Sequence, residues 1–248
     1  MLERLRPAHL NQYIVLRREL RNIDLLEWNK LYWESTHYEK VNRDRDGSTA
    51  IGGARKYFDL KRFLSLNIKR YHALKIRKKQ QVIVDLGCGG GFFVYYAIRQ
   101  GHYAVGLDRG KSADFDTQGP PVYDLMTNFF QIPKIKHTIL PYQPLPSNIQ
   151  NADLITGFNT WFDGKYGENR TYAPWTLEEW KFFFEDLKGR LNPAGRIVLE
   201  VNEKWEYKLG YYLPEGFREM LGNLGFRINR LDKGWVDVSL QGEFSHDV

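Results

Sequence analysis

The chain has 248 residues, of which 42% are hydrophobic and 15% aromatic, and its formal net charge is +6. This length and composition suit one domain with a substantial core, with or without an appendage. No apolar run reaches the roughly eighteen residues of a transmembrane helix, and no secretory signal is apparent, so we expect no membrane association. The single cysteine excludes a disulfide framework within the chain and favours a reducing, cytoplasmic compartment.

The positive charge is concentrated near the N-terminus. Residues 1–79 hold 19 Lys and Arg against 9 Asp and Glu, a balance of +10, whereas the remainder holds 17 against 21, a balance of −4. A basic arm is suited to an anionic substrate or to nucleic acid. Long helices also expose Lys and Arg to solvent without any partner. Both interpretations are open at this point.

The first third of the chain predicts two helices with a polar segment between them. Apolar residues recur at a mostly helical period over 10–34 and again over 56–74. The segment 37–53 is polar and glycine-containing, which is typical of a loop or a mobile lid. We therefore expect 1–80 to form an N-terminal helical extension or lid, and 81–248 to form the main domain.

From Val82 onward, short apolar runs alternate with helical stretches. They predict strands at 82–86, 103–107, 135–140, 152–157, 196–201, 226–231 and 235–241, and helices at 92–100, 124–131, 177–190 and 214–224. Strands separated by helices indicate a parallel sheet covered on both faces, and the short link between the last two strands requires an antiparallel hairpin. The predicted fold is α/β: a three-layer, Rossmann-like, mostly parallel sheet of seven strands with an antiparallel C-terminal hairpin.

The first of these strands runs into a glycine loop with the pattern D-x-G-x-G-x-G. Glycine permits a positive φ and leaves no Cβ to collide with a ligand, and the helix that follows offers free N–H groups. A dinucleotide-binding loop needs a third small residue where this chain has Phe92, which disfavours a nicotinamide oxidoreductase. Asp108, at the tip of the next strand, is suited to accept the two hydroxyls of a ribose.

This glycine loop and the acid after the second strand resemble motif I and its surroundings in class I S-adenosylmethionine (SAM)-dependent methyltransferases. The phrase L-N-P-A-G-R-I at 191–197 is similar to the family's turn into its fifth strand, and the terminal hairpin matches the family's seven-stranded arrangement. The resemblance covers about 82–241. It implies SAM as the cofactor and S-adenosyl-L-homocysteine (SAH) as the product.

The resemblance also implies which residues hold the cofactor. By this resemblance the motif I loop binds the amino-acid end of SAM, which here implies Asp85, Gly87, Cys88, Gly89 and Gly91. The ribose falls to Asp108, with Arg109 alongside the adenosine. Many members carry an acidic residue after the third strand, whereas this chain has Pro141-Tyr142 near that point. We therefore expect backbone groups and the rings of Tyr142 or Phe158 to hold the adenine.

The acceptor is expected beyond the carboxyl ends of the fourth and fifth strands. The candidate substrate contacts there are Asn159, Trp161 and Tyr166. Asp163 and His37 are candidate general bases, although a turn aspartate and a loop histidine are the more ordinary explanations for them. The aromatic-rich segment 161–175 either faces the substrate or packs on the sheet edge. No metal site is predicted.

Several mechanisms are disfavoured by the same residues. The only cysteine lies in the glycine loop, which argues against a cysteine nucleophile, and the segment 157–160 lacks the N/D-P-P-Y/F/W pattern of amino-group methylases acting on DNA bases. The leading hypothesis is methyl transfer to the O or N of a small molecule. The alternatives are an RNA methyltransferase that uses the basic N-terminal region, and a non-catalytic SAM-binding module.

Overall fold

The computed structural model describes residues 7–33, 58–109, 122–160, 175–201, 213–232 and 234–240. These form two compact units. One is the sheet unit, built from the described residues of 79–88, 102–110 and 134–248, and the other is the helical unit, built from those of 1–78, 89–101 and 111–133. The predicted division into an extension or lid over 1–80 and a cofactor domain over 81–248 stays a prediction.

The sheet unit contains seven strands in the order β3-β2-β1-β4-β5-β7-β6. Strands β1 to β5 are parallel, and β7 is antiparallel to both β5 and β6. This confirms the predicted seven-stranded, mostly parallel sheet with an antiparallel C-terminal hairpin. The strands are β1 (Val82–Leu86), β2 (Tyr103–Asp108), β3 (Lys134–Lys136), β4 (Ala152–Thr160), β5 (Leu191–Val201), β6 (Phe226–Asp232) and β7 (Trp235–Leu240).

Strands β3, β4 and β5 differ in length from the prediction by three or more residues. Strand β5 begins at Leu191 instead of 196, so the residues expected to form the turn before it belong to the strand. Strand β3 has three residues instead of six, because it is an edge strand that pairs with β2 at only three positions. Strand β4 continues to Thr160, three residues further than predicted. Its last residues keep pairing with β5 across a register shift between Phe158 and Thr160. The carboxyl end of β4 is therefore held by the sheet up to Thr160.

Helices α6 (Leu177–Arg190) and α7 (Phe217–Asn223) belong to the same unit as the sheet. The predicted capping box is present, since the Thr176 hydroxyl accepts from the Glu179 backbone N–H and the Glu179 carboxylate accepts from the Thr176 N–H. Aromatic rings from both helices pack with inward residues of β1, β4, β5 and β7 in one core. Burial of this apolar surface is the main favourable term that holds the sheet unit together.

The strand order reverses between β1 and β4, which are parallel neighbours. Such a reversal is a topological switch point, and ligands of open α/β sheets bind beyond the carboxyl ends of the strands that flank it. In this chain those ends carry Gly87 and its loop after β1, and Asn159 and Thr160 at the end of β4. The strand order therefore predicts a ligand site at the same glycine loop that the sequence pattern indicated.

The helical unit contains α1 (Pro7–Arg21), α2 (25–33), α3 (Leu60–Ala73), α4 (Phe92–Arg99) and α5 (Val122–Phe129). The single helix predicted over 10–34 is wrong, because the chain breaks between α1 and α2. The Asp24 carboxylate accepts hydrogen bonds from the backbone N–H groups of Leu26 and Glu27, at 2.9 and 3.1 Å. Asp24 is therefore an N-cap that starts a new helix, where the apolar period alone indicated continuity.

An aromatic cluster forms part of the core of the helical unit. The Trp28 indole is 3% exposed, and its ring centroid lies 5.3–6.0 Å from those of Phe58, Phe92, Phe129 and Phe130. The Phe92 ring also stacks on Phe63 at 5.7 Å. The Phe92 side chain, which departs from the dinucleotide-binding pattern, is therefore part of this core. Among the described helices, none is long and apolar enough to cross a membrane.

Candidate cofactor and acceptor site

Asp85 lies near the end of β1 with its carboxylate buried, at 3% exposure. It accepts a 2.7 Å hydrogen bond from the hydroxyl of Thr156, its cross-strand partner on β4. A buried carboxylate is costly unless hydrogen bonds satisfy it, so this contact stabilises the acid in place. The predicted contact between Asp85 and SAM stays a prediction, and the structure adds a role in joining the two strands at the switch point.

Gly87 is required by packing within the sheet unit. Its φ is +65°, and a Cβ built on it would lie 2.8 Å from the Thr160 hydroxyl oxygen. That hydroxyl donates a 3.0 Å hydrogen bond to the carbonyl of Leu86. A Cβ at position 87 would therefore force the Thr160 side chain to move.

Gly90 and Gly91 are also required by packing, in this case within the helical unit. A Cβ at Gly91, the N-cap of α4 with a φ of +75°, would lie 2.4 Å from the Ile132 side chain. A Cβ at Gly90 would lie 2.8 Å from the sulfur of Met126. These two glycines let α4 begin close to the segment at and after α5, and their presence needs no ligand.

Gly89 differs from the other three glycines of the loop. Its φ is +52°, and among the described residues a Cβ built on it would meet only the Tyr123 ring, at an ordinary contact distance of 3.8 Å. In the described part of the chain, packing therefore does not require glycine at this position. A ligand that approaches the main chain closely needs space there, which is the reason for glycine in nucleotide-binding turns. The predicted contact between Gly89 and the amino-acid end of SAM stays a prediction.

Cys88 is fixed through its backbone, whose N–H donates a 3.0 Å hydrogen bond to the carbonyl of Leu107 on β2. Burial raises the pKa of the Cys88 thiol well above its usual range, and the carboxylates of Asp108 and Asp85 raise it further. The thiol is therefore protonated at neutral pH. A neutral thiol is a poor nucleophile, which agrees with the argument against cysteine chemistry.

Asp108 is the last residue of β2 and is partly exposed. Its carbonyl accepts a 2.9 Å hydrogen bond from the His137 N–H, which fixes its backbone against the segment after β3. Asp85 pairs with Gly106, two residues before Asp108, so both acids lie on the same face of the sheet. Arg109 follows directly and is exposed. The arrangement presents a carboxylate at the tip of the second strand, as predicted.

Three features identify the fold. They are the seven-stranded sheet with its antiparallel C-terminal hairpin, the glycine loop after β1 and the acid at the tip of β2. The chain has the class I methyltransferase fold. The resemblance seen in the sequence and the predicted Rossmann-like fold class are both confirmed by the structure. The fold by itself leaves the acceptor open, because function depends on the site that the fold carries.

Comparisons with known proteins found only distant structural likenesses. No protein-family model and no curated protein matches the sequence. Among solved structures, a TehB-like SAM-dependent methyltransferase from Corynebacterium glutamicum is 16% identical over 76% of this chain and 98% of its own, with a TM-score of 0.45. The ribosomal protein L11 methylase from Lactobacillus delbrueckii subsp. bulgaricus is 16% identical over 71% of this chain and 75% of its own, with a TM-score of 0.42.

The pyocyanin biosynthetic protein PhzM is also 16% identical, over 76% of this chain and 58% of its own, with a TM-score of 0.45. These likenesses are distant. The assignment of the methyltransferase fold depends on the sheet and its glycine loop, and none of these proteins transfers an acceptor to this chain.

The two rings proposed for the adenine have other neighbours in the methyltransferase sheet. The Tyr142 side chain is 56% exposed, and its ring contacts Phe182 of α6 at a centroid distance of 5.7 Å. The Phe158 ring lies 6.4 Å from the indole of Trp235 on β7. That contact lies on the opposite side of β4 from β1. Adenine packing by either ring stays a prediction.

Asn159 is exposed and has a φ of +54°, an uncommon backbone conformation that Asn tolerates better than most residues. It lies at the register shift between β4 and β5. Bulges of this kind redirect side chains next to functional sites. The other predicted substrate contacts and bases, Trp161, Tyr166, Asp163 and His37, lie outside the described residues.

Two features near the candidate site were not predicted from the sequence. Thr156 was not predicted as a site residue, although its period-two spacing with Phe158 places both on one face of β4; the register shift turns Thr160 to the other face. Trp175, at the end of the aromatic-rich segment, is 3% exposed and packs on Trp180 and Phe183. Of the two alternatives for the segment 161–175, packing is therefore correct for Trp175.

Proposed function

We propose that this chain is a SAM-dependent methyltransferase that acts on the O or N of a small-molecule acceptor. The observation that most supports the proposal is the packing at Gly89, where the nearest atom among the described residues to a built Cβ belongs to the Tyr123 ring and lies 3.8 Å away. Glycine at a position where a Cβ would meet no clash is suited to a ligand that approaches the main chain closely.

Each named residue has a distinct task in this proposal. The Asp108 carboxylate accepts the ribose hydroxyls, because a neutral residue there would leave them without acceptors. Asp85, held by Thr156, fixes the end of β1 from which the loop departs. When bound, SAM supplies the activated methyl group together with its leaving group. The contribution of the chain is therefore to position the acceptor in line and to exclude water.

In this proposal the acceptor is a small molecule, because the partly buried Phe158 ring and Asn159, which has a positive φ, lie at the end of β4. The predicted general bases are kept as proposals for an acceptor whose proton must leave. The RNA alternative rests on exposed arginines of α1, namely Arg17, Arg18 and Arg21. A cytoplasmic location stays a prediction from the single cysteine.

A pair of glycine variants tests the binding loop. Gly89→Ala adds a methyl group where SAM is expected, at a φ of +52°, and Gly101→Ala adds one at the end of α4, at a φ of +90° with nothing within 4 Å. Both variants carry backbone strain of about 1 kcal/mol or more. We expect Gly89→Ala to weaken SAH binding at least about tenfold, since a methyl group would intrude on the ligand. Equal SAH affinity in the two variants would contradict the proposal.

An acceptor screen tests the second half of the proposal. Transfer of a labelled methyl group from SAM is followed with pools of amines, phenols and carboxylic acids, and with RNA at two salt concentrations. RNA methylation that falls steeply with salt would indicate phosphate contacts and favour the RNA alternative. Methylation of a small molecule that is insensitive to salt supports the proposal as stated.

A further inference from the structure

The positive net charge of this chain comes from one short segment. Residues 60–79 hold 8 Lys and Arg and no Asp or Glu, so the remaining residues hold 28 Lys and Arg against 30 Asp and Glu. The segment consists of α3 and the connector that leads to β1. The basic excess found near the N-terminus is therefore mostly located on this one helix and the residues after it.

The cations of α3 lie on the outer side of the helix. Its inner side consists of the buried residues Leu60, Leu64, Asn67, Ile68 and Tyr71. Arg62 and Lys69 are exposed. They are seven residues apart, which places them about 20° apart around the helix and about 10 Å apart along it. Both charges therefore face the same direction.

Lys75 ends the helix and is followed by further exposed cations. Its φ is +51°, and its N–H donates a 3.1 Å hydrogen bond to the carbonyl of His72, so the chain leaves the helix axis here. Six exposed cations of the helical unit thus follow one another over eighteen residues. We call them the basic surface: Lys61, Arg62, Lys69, Lys75, Arg77 and Lys78.

Interactions within the protein do not explain the basic surface. In the described part of the chain, none of its six side chains forms an ion pair, and Arg62 contacts the Phe63 ring at 5.7 Å. Lys61 and Arg62 lie in the first turn of α3, where the helix dipole disfavours positive charge. Neighbouring like charges also repel each other. A partner that brings negative charge would relieve both effects.

The composition of the surface indicates which anionic partner it fits. Among the described residues of α3 and its connector, Leu66, at 37% exposure, is the one exposed large hydrophobic side chain. Membrane surfaces and most protein partners take up exposed apolar side chains together with charges. The phosphate backbone of a nucleic acid is bound through cations alone. Charge with so little apolar surface therefore favours a nucleic acid.

We infer that the basic surface binds the phosphate backbone of a nucleic acid. The inference goes beyond the proposed function, because it adds a binding surface and does not require the nucleic acid to be the methyl acceptor. Each phosphate that a cation neutralises releases condensed counterions, so the logarithm of the affinity falls linearly with the logarithm of the salt concentration. RNA and DNA share this backbone, and both are expected to bind.

Binding of labelled oligonucleotides to the whole chain tests the inference. A single-stranded RNA of about twenty nucleotides and a DNA of the same sequence are titrated with the protein, and fluorescence anisotropy reports binding. We expect both to bind, and the affinity to fall at least about tenfold between about 50 and 200 mM salt, because several phosphates are contacted at once. Binding of either nucleic acid with this salt dependence supports the inference, provided that the variants below behave as expected.

Two double variants assign the binding to the basic surface. Arg62→Gln combined with Lys69→Gln is expected to weaken binding at about 50 mM salt at least about tenfold. It should also make the log–log salt slope shallower by about 1.4, the value for two lost phosphate contacts on a single strand. Lys181→Gln combined with Arg218→Gln removes the same charges from exposed positions on α6 and α7, and is expected to leave the slope unchanged. Thermal unfolding confirms that each variant is folded.

Three results would overturn the inference: no binding of either nucleic acid at about 50 mM salt, binding that is independent of salt, or equal weakening in the two double variants. Binding to phosphatidylserine-containing vesicles in the absence of nucleic-acid binding would likewise contradict it. SAH binding in the same samples tests the proposed function separately. If SAH binds and nucleic acid does not, the methyltransferase proposal stands and this inference fails. If nucleic acid binds and SAH does not, the reverse holds.

Discussion

The Thr156 hydroxyl donates a 2.7 Å hydrogen bond to the buried carboxylate of Asp85, its register partner on the neighbouring strand. Both side chains are almost fully buried, at 0% and 3% exposure. The bond therefore joins β1 and β4 at the point where the strand order reverses. A change in this contact would alter the spacing of the two strand ends between which the ligand is proposed to bind.

Thr156→Val removes that hydroxyl while keeping the shape of the side chain. We expect it to lower the free energy of unfolding by about 1–3 kcal/mol, because a buried carboxylate loses a donor. Thr127→Val is the matched control, since the Thr127 hydroxyl is also buried and donates to the carbonyl of Tyr123, an uncharged acceptor. Urea unfolding monitored by circular dichroism measures both. Equal losses in the two variants would show that the Asp85 carboxylate does not depend on Thr156.

Gly87→Ala is expected to be destabilising for two reasons that can be separated. The positive φ costs about 1 kcal/mol, and the clash with the Thr160 hydroxyl, 2.8 Å from the new methyl group, costs more. Combining it with Thr160→Ala removes the clash and leaves the backbone cost. The double-mutant cycle should therefore give a favourable coupling of about 1 kcal/mol. Strict additivity of the two changes would contradict the packing explanation for this glycine.

Cys88 should react slowly with alkylating reagents. Its pKa is raised by burial and by the Asp108 and Asp85 carboxylates, so the thiolate is scarce at pH 8. Iodoacetamide labelling followed by mass spectrometry should be slower in the native protein than in the urea-unfolded chain. The native rate should keep rising with pH beyond the point where the unfolded rate levels off. A native thiol that reacts as fast as the unfolded one would contradict this picture.

The same shift makes stability depend on pH in a defined direction. The native state holds the Cys88 proton more tightly than the unfolded state, so this group contributes stability that is fully present below the unfolded pKa, about 8.5. That contribution is lost as the pH rises above this value. A Cys88→Ser variant should show a shallower loss of stability between about pH 8.5 and pH 10 than the wild type.

The parts of the fold that the sequence predicted are those set by local pattern. The strand into Asp85, the glycine loop and the capping box at Thr176 each depend on neighbours in the sequence, and all are present as predicted. The break at Asp24 was missed, because a capping carboxylate has the same polar character as any exposed helical residue. The break depends on hydrogen bonds from backbone N–H groups to the Asp24 carboxylate, which a hydrophobic period does not encode.

The details of the site depend on register, which the sequence does not reveal. The Asp85–Thr156 contact and the cross-strand pairing of Phe158, Glu200 and Trp235 exist only because four strands, β1, β4, β5 and β7, align at particular residues. A one-residue slip would turn every one of these side chains to the other face. Likewise, only the folded chain distinguishes Gly89, where a Cβ would make an ordinary 3.8 Å contact with the Tyr123 ring, from Gly87, where a Cβ would clash with Thr160.

Calorimetric titration of the purified chain with SAH and with NAD, repeated with Asp108→Ala, tests the central claim most directly. The account predicts that SAH binds, that NAD does not, and that Asp108→Ala weakens SAH binding by at least about tenfold, the cost of leaving the ribose hydroxyls without a charged acceptor. Glu185→Ala, an exposed acid on α6, should bind SAH like the wild type. Binding of NAD without SAH would contradict the account, and so would SAH binding that is indifferent to Asp108.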